Sequence, residues 1–491
     1  MSHNPFSILC NRLIILVIGV LLSTSQAVAE DGQVSSLATT NTACRFGITS
    51  VLGSEGYDIA GLGVGSYLDW GAVTNPDLPD GVEYIRVLRV RNDLYQQTLD
   101  NLPTWVQGNP GSIWVVGNEP DTTYEGQDGI LPEDYAERYY QLATIIRSMD
   151  PSARIGFGSV VQPTPIRIRY LNRAWNQLVD DAGSPAVASG LIDIWSIHSF
   201  ILNEQVGYWG TGIPPGFEDD HEDAVIITDL TDTYSIAIYQ ERIINFRNWM
   251  ASMGEREKPL WITEYGSLLP PIDPPEGPDY ANVSDQDSAN FMLATFDFML
   301  SAIDGQIGLP TDNDHLVQRW FWYSLNDYRY HFGGTIFDPE NGNLPTIVGE
   351  AFMGYQPLSL AQPDLFPISL LVAPVSYNFD RTLVNYRLDL RIGNALLADT
   401  SSSAQAWIYD GDPDAGGTLI AGPILSDAIQ RCGGTQVVSA TWMGVQPLTQ
   451  HTLYVQVDPV GVADTNPDNN QASFNVFLEL PRLHFLPVIN R

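Results

Sequence analysis

Between positions 45 and 324 the chain repeats one alternation eight times, a short apolar run of strand length followed by a polar or helical stretch. The runs are 45–51, 64–70, 84–91, 112–118, 154–161, 191–198, 259–265 and 317–324. Strands buried on both faces read as nearly continuous apolar runs, and parallel neighbours need a long crossover between them. Helical spacing fills several crossovers. Segment 132–149 opens on Pro132 and carries Tyr135, Tyr139, Leu142, Ile145 and Ile146 on one face. Segments 164–181, 232–253 and 285–302 read the same way. The links after the first two runs are short and rich in Gly and Pro, so helices there must be brief or missing. The pattern predicts an α/β fold, a (β/α)8 TIM barrel over 44–358. A doubly wound sheet is the rival. Its phosphate turn is not matched, because Gly61-Leu62-Gly63-Val64-Gly65-Ser66 ends in Ser and precedes a strand.

After Phe352 the texture changes. Pro363, Pro367 and Pro374 punctuate a stretch that reads as a linker, 359–375. Beyond it Val384, Tyr386, Leu388, Leu390 and Ile392 alternate with Asn385, Arg387, Asp389 and Arg391. Period two means one buried and one wet face. Similar alternation at Leu453, Val455, Val457 and at Phe474, Val476, Leu478 predicts an all-β, immunoglobulin-like sandwich over 376–480.

At the other end, Arg12 precedes an apolar run, 13–22, and Ala27-Val28-Ala29 stands before Glu30. This reads as a secretory signal peptide, 1–29, because the run is about half the length of a spanning helix. An uncleaved anchor is the alternative. The expected product is a secreted, extracellular protein with no membrane span once the leader is removed. A linker follows at 30–43. The tail, 481–491, reads as a last strand or a sorting signal. Cys10 leaves with the leader, and the pairing of Cys44 with Cys432 stays open.

Charge removes whole classes of function. Lys+Arg number 23 against Asp+Glu 58, a formal net charge of −35, and nucleic-acid binding rests on clustered cations. Lys258 is the only lysine, so lysine nucleophiles and Schiff bases rest on that one position. There is no H-E-x-x-H, no G-x-S-x-G and no paired C-x-x-C. The acidic segment Asp410-Gly411-Asp412-Pro413-Asp414 lacks the central Gly of a calcium loop and has Ala421 where the closing Glu belongs. It reads as a hairpin turn. No cofactor and no metal are expected.

The fourth run ends in Gly117-Asn118-Glu119-Pro120 and the seventh in Thr263-Glu264-Tyr265-Gly266. In an αβ barrel both strand tips lie on one rim, the face where reactions occur. Two carboxylates on one rim are what glycosidic bond cleavage requires, one protonated to release the leaving oxygen and one ionised. Desolvation by an apolar wall such as Trp114 or Trp322 would raise the acid's pKa. By period two, Trp320 and Trp322 share one side and Phe321 and Tyr323 the other. Trp322 is expected at the pocket. His198, which titrates near neutral pH, is placed to bond a sugar hydroxyl or Glu264. Tyr265 and Trp70 are further subsite candidates. Loop 208–223 either rims the cleft or is solvated.

The Asn118-Glu119-Pro120 and Thr263-Glu264-Tyr265-Gly266 motifs resemble those of glycoside hydrolase clan A, the retaining (β/α)8 glycosidases. The resemblance spans about 44–358. It implies Glu119 as acid/base, Asn118 as partner of the sugar 2-hydroxyl, and Glu264 as nucleophile. The run Ile192 to Phe200 is similar to the strand of family 39-like and family 128-like members in which a His holds the nucleophile or the sugar. The run Arg319 to Asp327 resembles the clan's aromatic strand, where a Trp floors the subsite. Together these imply a secreted retaining glycoside hydrolase acting on a polysaccharide or oligosaccharide. Residues 376–478 resemble the bacterial cell-adhesion-related (CARDB-like) sandwich, which implies cell-surface or matrix contact. The rival readings are a non-catalytic carbohydrate-binding barrel and a surface adhesion protein.

Overall fold

The computed structural model describes residues 43–73, 76–79, 81–269, 284–327, 332–355, 362–394, 401–430, 434–478 and 480; the expected leader, the residues of the 30–43 linker before 43, Cys432 and the 481–491 tail lie outside them. The eight apolar runs form eight parallel strands: β1 (Ala43–Thr49), β2 (Val64–Leu68), β3 (Glu83–Leu88), β4 (Ile113–Val116), β5 (Arg154–Val160), β6 (Ile194–His198), β7 (Leu260–Gly266) and β8 (Arg319–Tyr323). They follow one another around a closed barrel, with β1 pairing β8 through Phe46 and Trp320. The expected barrel followed by a β-sandwich is the fold. Cys44 is disulfide-bonded, its partner lying outside the described residues.

The crossovers carry α1 (Ile59–Leu62), α2 (Tyr95–Gly108), α3 (Pro132–Met149), α4 (Pro165–Ala182), α5 (Pro185–Leu191), α6 (Ile236–Ser252), α7 (Asp285–Ser301) and α8 (Ile347–Gly354). As the short links require, α1 is a single turn and no helix stands between β2 and β3 among the described residues. The helix α2 was not expected. Pro103 sits in its interior and Leu94 gives it no side-chain cap, yet it buries Thr98, Leu102 and Val106. Burial of one face outweighs poor local propensity. No helix among the described residues is long and apolar enough to cross a membrane.

Period two divides each strand's side chains between helices and barrel interior. Phe46, Ile48, Trp114, Val116, Phe157, Trp195, Ile197, Trp320 and Trp322 face outward and share a core with the helices. Leu68, Ile85, Val87, Ile113, Val115, Ile194, Trp261 and Phe321 form a separate interior cluster that plugs the barrel. At Gly47 there is no room for a side chain. A Cβ on Gly47 would stand 2.4 Å from the Phe321 ring, so β1 yields its inward volume to the aromatic residue beside it. Glu83 accepts from Arg319 at 2.6 Å and pairs with Arg154 at 3.2 Å, while Arg319 also stacks on Trp261 at 4.4 Å. These charges sit at the N-terminal ends of their strands. Lys258 does too, bonding the carbonyls of Ser189 and Ile192 at the opposite end of β7 from Glu264.

The sandwich pairs a three-stranded antiparallel sheet (Leu365–Tyr377, Val384–Asn394, Thr435–Val445) with a four-stranded one (Thr418–Ile429, Ser402–Asp410, Gln450–Pro459, Gln471–Phe477). Leu388, Leu390 and Ile392 meet Ala404, Ala406, Ile408, Leu453, Val455 and Val457 in its core. Its first strand begins inside the stretch that reads as a linker. Pro367 and Pro374 are accommodated because that strand lies at a sheet edge and its register shifts beside both prolines. Arg391 bonds the Pro151 carbonyl and lies 3.8 Å from Asp193. Both partners precede barrel strands, so this contact is made at the end of the barrel opposite the strand C-termini.

Replacing Gly47 with Ala is expected to destabilise the protein by about 1–3 kcal/mol through overpacking against Phe321. Pairing it with Phe321→Leu should recover part of the loss. Urea unfolding midpoints measure both, and an unchanged midpoint for Gly47→Ala would contradict the packing assigned to this layer.

Candidate active site

Strict alternation along β7 would hide Glu264. Trp261 faces the interior, so period two sends residue 264 to the helix side. The register shows how this is avoided: Ile197 pairs Ile262 but His198 pairs Glu264, and Ile262 pairs Trp320 while Tyr265 pairs Trp322. One extra residue in β7 makes a bulge, and the bulge turns Glu264 toward the barrel mouth. A second irregularity stands in β5, where Ser159 is skipped between Gly158 and Val160 and adopts φ 49°. The Ser159 carbonyl accepts the Glu119 N–H at 3.0 Å. Glu119 itself has φ 47° and Trp70 φ 59°. Three non-glycine residues in left-handed backbone thus stand at the C-terminal ends of β5, β4 and β2. Such conformations cost free energy and persist only where surroundings impose them.

These devices bring Glu119, His198 and Glu264 together. His198 Nδ1 lies 2.8 Å from Glu119 Oε1, and Nε2 lies 3.3 Å from Glu264 Oε1. One oxygen from each carboxylate and one ring nitrogen lie within 4.8 Å of one another. All three residues are buried. Trp70 donates its indole N–H to Glu264 Oε1 at 2.5 Å. Burial, foremost, and the charge of Glu119 push the Glu264 carboxyl up to about 7, against the opposing pull of His198, the Trp70 hydrogen bond and Arg89. For His198 burial disfavours the charged ring, but Glu264, Glu119 and Asp121 outweigh it, and its pKa is raised.

Behind Glu119 lies a buried network that the sequence reading missed. Arg167, fully enclosed, pairs with Asp121 and, at 2.8 Å, with Glu204. Glu204 also accepts from Gln162 at 2.8 Å and Thr164 at 2.5 Å. Asp128 holds the Asn118 N–H at 2.8 Å and Arg89 Nε at 2.8 Å. Loop 208–223 packs on this network rather than standing free, with Arg167 bonding the Gly212 carbonyl at 2.8 Å and Thr122 the Thr211 carbonyl at 2.9 Å. The acids at 121 and 204 and the arginine at 167 are the only signal in the sequence, and no local motif connects them.

Several expected site residues lie elsewhere. Trp322 faces the helices, fully buried against Tyr265, with its indole N–H on the Gly334 carbonyl at 2.7 Å. The pairing of side chains by period two holds, but the interior takes Phe321 and Tyr323 instead. Tyr265 also points outward, its hydroxyl 3.2 Å from Thr295, because the bulge that turns Glu264 inward turns its neighbour away. Trp114 faces outward and is no wall for Glu119. Asn118 stands beside Glu119, its amide donating to Gln127 at 2.5 Å. The apolar surface at the mouth comes from Val161, Phe200 and Tyr323, with Trp70, Val51, Leu202, Leu268 and Phe332 packed around them.

Glu119, His198 and Glu264 have the ligand chemistry of a divalent metal site. Here Nδ1 of His198 is hydrogen-bonded to Glu119, while Nε2 faces Glu264 at 3.3 Å as an ion-pair contact.

The raised Glu264 pKa has a defined thermodynamic sign. The folded state holds a proton that the unfolded chain releases near 4.5, so this contribution to stability is complete below 4.5 and is lost as pH rises through about 7. Glu264→Gln should therefore flatten the decline of stability between about pH 5 and about pH 7, seen as urea midpoints converging less steeply than in wild type. Identical pH slopes for the two proteins would show that Glu264 is not held in its protonated form by the fold.

No protein-family model matches the chain, and no curated protein matches its sequence. Solved structures similar to it include a GH128 (subgroup VII) oligosaccharide-binding protein from Cryptococcus neoformans, at 14% identity over 64% of this chain and 94% of that one, TM-score 0.38. A glucosidase from Croceicoccus marinus is similar at 13% identity over 83% of this chain and 97% of that one, TM-score 0.40. A beta-glucuronidase from Bacteroides uniformis is similar at 12% identity over 86% of this chain, which spans 42% of that protein, TM-score 0.32.

Proposed function

We propose that this protein is a secreted retaining glycoside hydrolase that cleaves β-glycosidic bonds of a polysaccharide or oligosaccharide. The observation that carries the reading is the approach of the two rim carboxylates, with an oxygen of Glu119 and an oxygen of Glu264 within 4.8 Å. Retaining enzymes hold their carboxyl groups about 5–5.5 Å apart, whereas inverting enzymes separate them by about 6.5–9.5 Å to admit a water. On this reading Glu264 attacks the anomeric carbon and Glu119 protonates the leaving oxygen. A water deprotonated by Glu119 then releases the sugar.

Such a cycle must start with Glu119 protonated and Glu264 ionised, and the position of His198 supplies a route to that state. Above about pH 7, where Glu264 is ionised, a doubly protonated ring donates from Nδ1 to Glu119 and faces Glu264 with Nε2 at 3.3 Å. Transfer of the Nδ1 proton to Glu119 leaves a neutral imidazole, a carboxylic acid and a Glu264 carboxylate facing Nε2–H. No proton enters or leaves the site. The aromatic surface of Tyr323, Phe200 and Trp70 suits the C–H faces of sugar rings. The sandwich is proposed as an accessory unit contacting a cell surface or matrix, away from the mouth.

Glu119→Gln and Glu264→Gln are each expected to lower kcat/KM by about a thousandfold or more on whichever of a panel of β-glucans, xylans and mannans the wild type hydrolyses. Circular dichroism should show both variants folded, and hydrolysis by the wild type should persist in EDTA. Proton NMR of the first product should show the β-anomer. An α-anomer product, or variants as active as wild type, contradict the mechanism. Glycan binding without hydrolysis by any of the three proteins would make the barrel a binding module.

A further inference from the structure

We infer that Trp70 is a positioning residue for Glu264, fixing one carboxylate oxygen so that the other is the atom that attacks. The inference rests on the reading of Glu264 as nucleophile. Oε1 receives the Trp70 indole N–H at 2.5 Å and faces His198 Nε2 at 3.3 Å, whereas Oε2 has no hydrogen-bond partner among the described residues. The indole donor and the nearby ring nitrogen therefore distinguish two oxygens that are chemically identical. They differ in one respect. Imidazole can give up or take a proton, but an indole only donates, so Trp70 holds the carboxylate without exchanging protons with it. A hydrogen bond of this kind favours the ionised form that nucleophilic attack requires.

The chain commits local structure to this contact. Trp70 lies in left-handed backbone at φ 59°, a conformation that bulky residues rarely adopt. Its neighbours are pinned on both sides. Asp69 Oδ1 accepts from the Tyr84 hydroxyl at 2.5 Å and from the Gly71 N–H at 3.1 Å, and the Gly71 carbonyl accepts from Val87 N–H at 3.0 Å. The indole is braced by Tyr323, with ring centroids 6.0 Å apart. A ring needed only as a sugar platform would not require its N–H to be aimed at a buried carboxylate.

Trp70→Phe keeps an aromatic ring and removes the donor. The expected result is kcat lower by about 10- to 100-fold, the worth of a hydrogen bond to a charged group, with KM within about twofold of wild type. The acidic limb of the pH dependence of kcat/KM should move to higher pH, because the lost donor favoured the ionised carboxyl. A raised KM with kcat and the acidic limb unchanged would overturn the inference and make Trp70 a sugar platform. A second arm needs no catalysis. Urea midpoints of Trp70→Phe should fall more steeply than wild type as pH rises above about 7, while Glu264→Gln and the double variant should share one slope. Equal slopes for wild type and Trp70→Phe would overturn the inference. A wild type that hydrolyses nothing would count against the proposed function alone, because the stability arm still decides the contact.

Discussion

Two carboxylates buried a few ångströms apart oppose each other's ionisation, and a closed pocket can hold both only if a proton or a cation stands between them. In this barrel that group is His198, with one ring nitrogen on each carboxylate. Everything else at the mouth serves to deliver those three side chains to one place. The extra residue in β7 turns Glu264 inward, and the irregularity at Ser159 puts a carbonyl where the Glu119 N–H can reach it. The backbone departs from regular geometry where these three side chains are brought together, and strained φ values cluster at functional sites in general.

The barrel's two ends are built differently. At the N-terminal end, charges are matched: partly buried Glu83 with Arg319 and Arg154, and buried Arg45 with Asp312 at 2.6 Å. The sandwich attaches here through Arg391. At the C-terminal end two acids and a histidine meet an apolar, aromatic surround, with the Asp121–Arg167–Glu204 network behind them. This separation of stabilising and reactive faces belongs to the architecture of αβ barrels, where loops at one end vary without disturbing the other.

Much of this was legible in the sequence for a physical reason. Eight strands buried on both faces leave eight apolar runs, and the strict alternation from Val384 to Ile392 leaves all five apolar residues fully buried. Glu119 and Glu264 could be singled out because each closes such a run. What escaped was whatever depends on a departure from period. Tyr265 is expected at the mouth beside Glu264 but faces the helices, since a one-residue bulge inverts every side chain after it and leaves no trace in composition. Trp322 shares a face with Trp320 as period two requires, yet which pair faces inward is decided by the space that Gly47 leaves for Phe321. The Asp121–Arg167–Glu204 network joins residues from three separate segments, and only closure of the barrel brings them together.

On the proposed mechanism the two carboxylates differ in kind, because only one of them bonds covalently to sugar. Incubation with a 2-deoxy-2-fluoro glycoside bearing an activated leaving group, followed by peptide mapping in a mass spectrometer, tests this most directly. The account predicts a single fluoroglycosyl adduct on the peptide containing Glu264, absent from Glu264→Gln. An adduct on Glu119, or turnover of a matched substrate without any adduct, would contradict it.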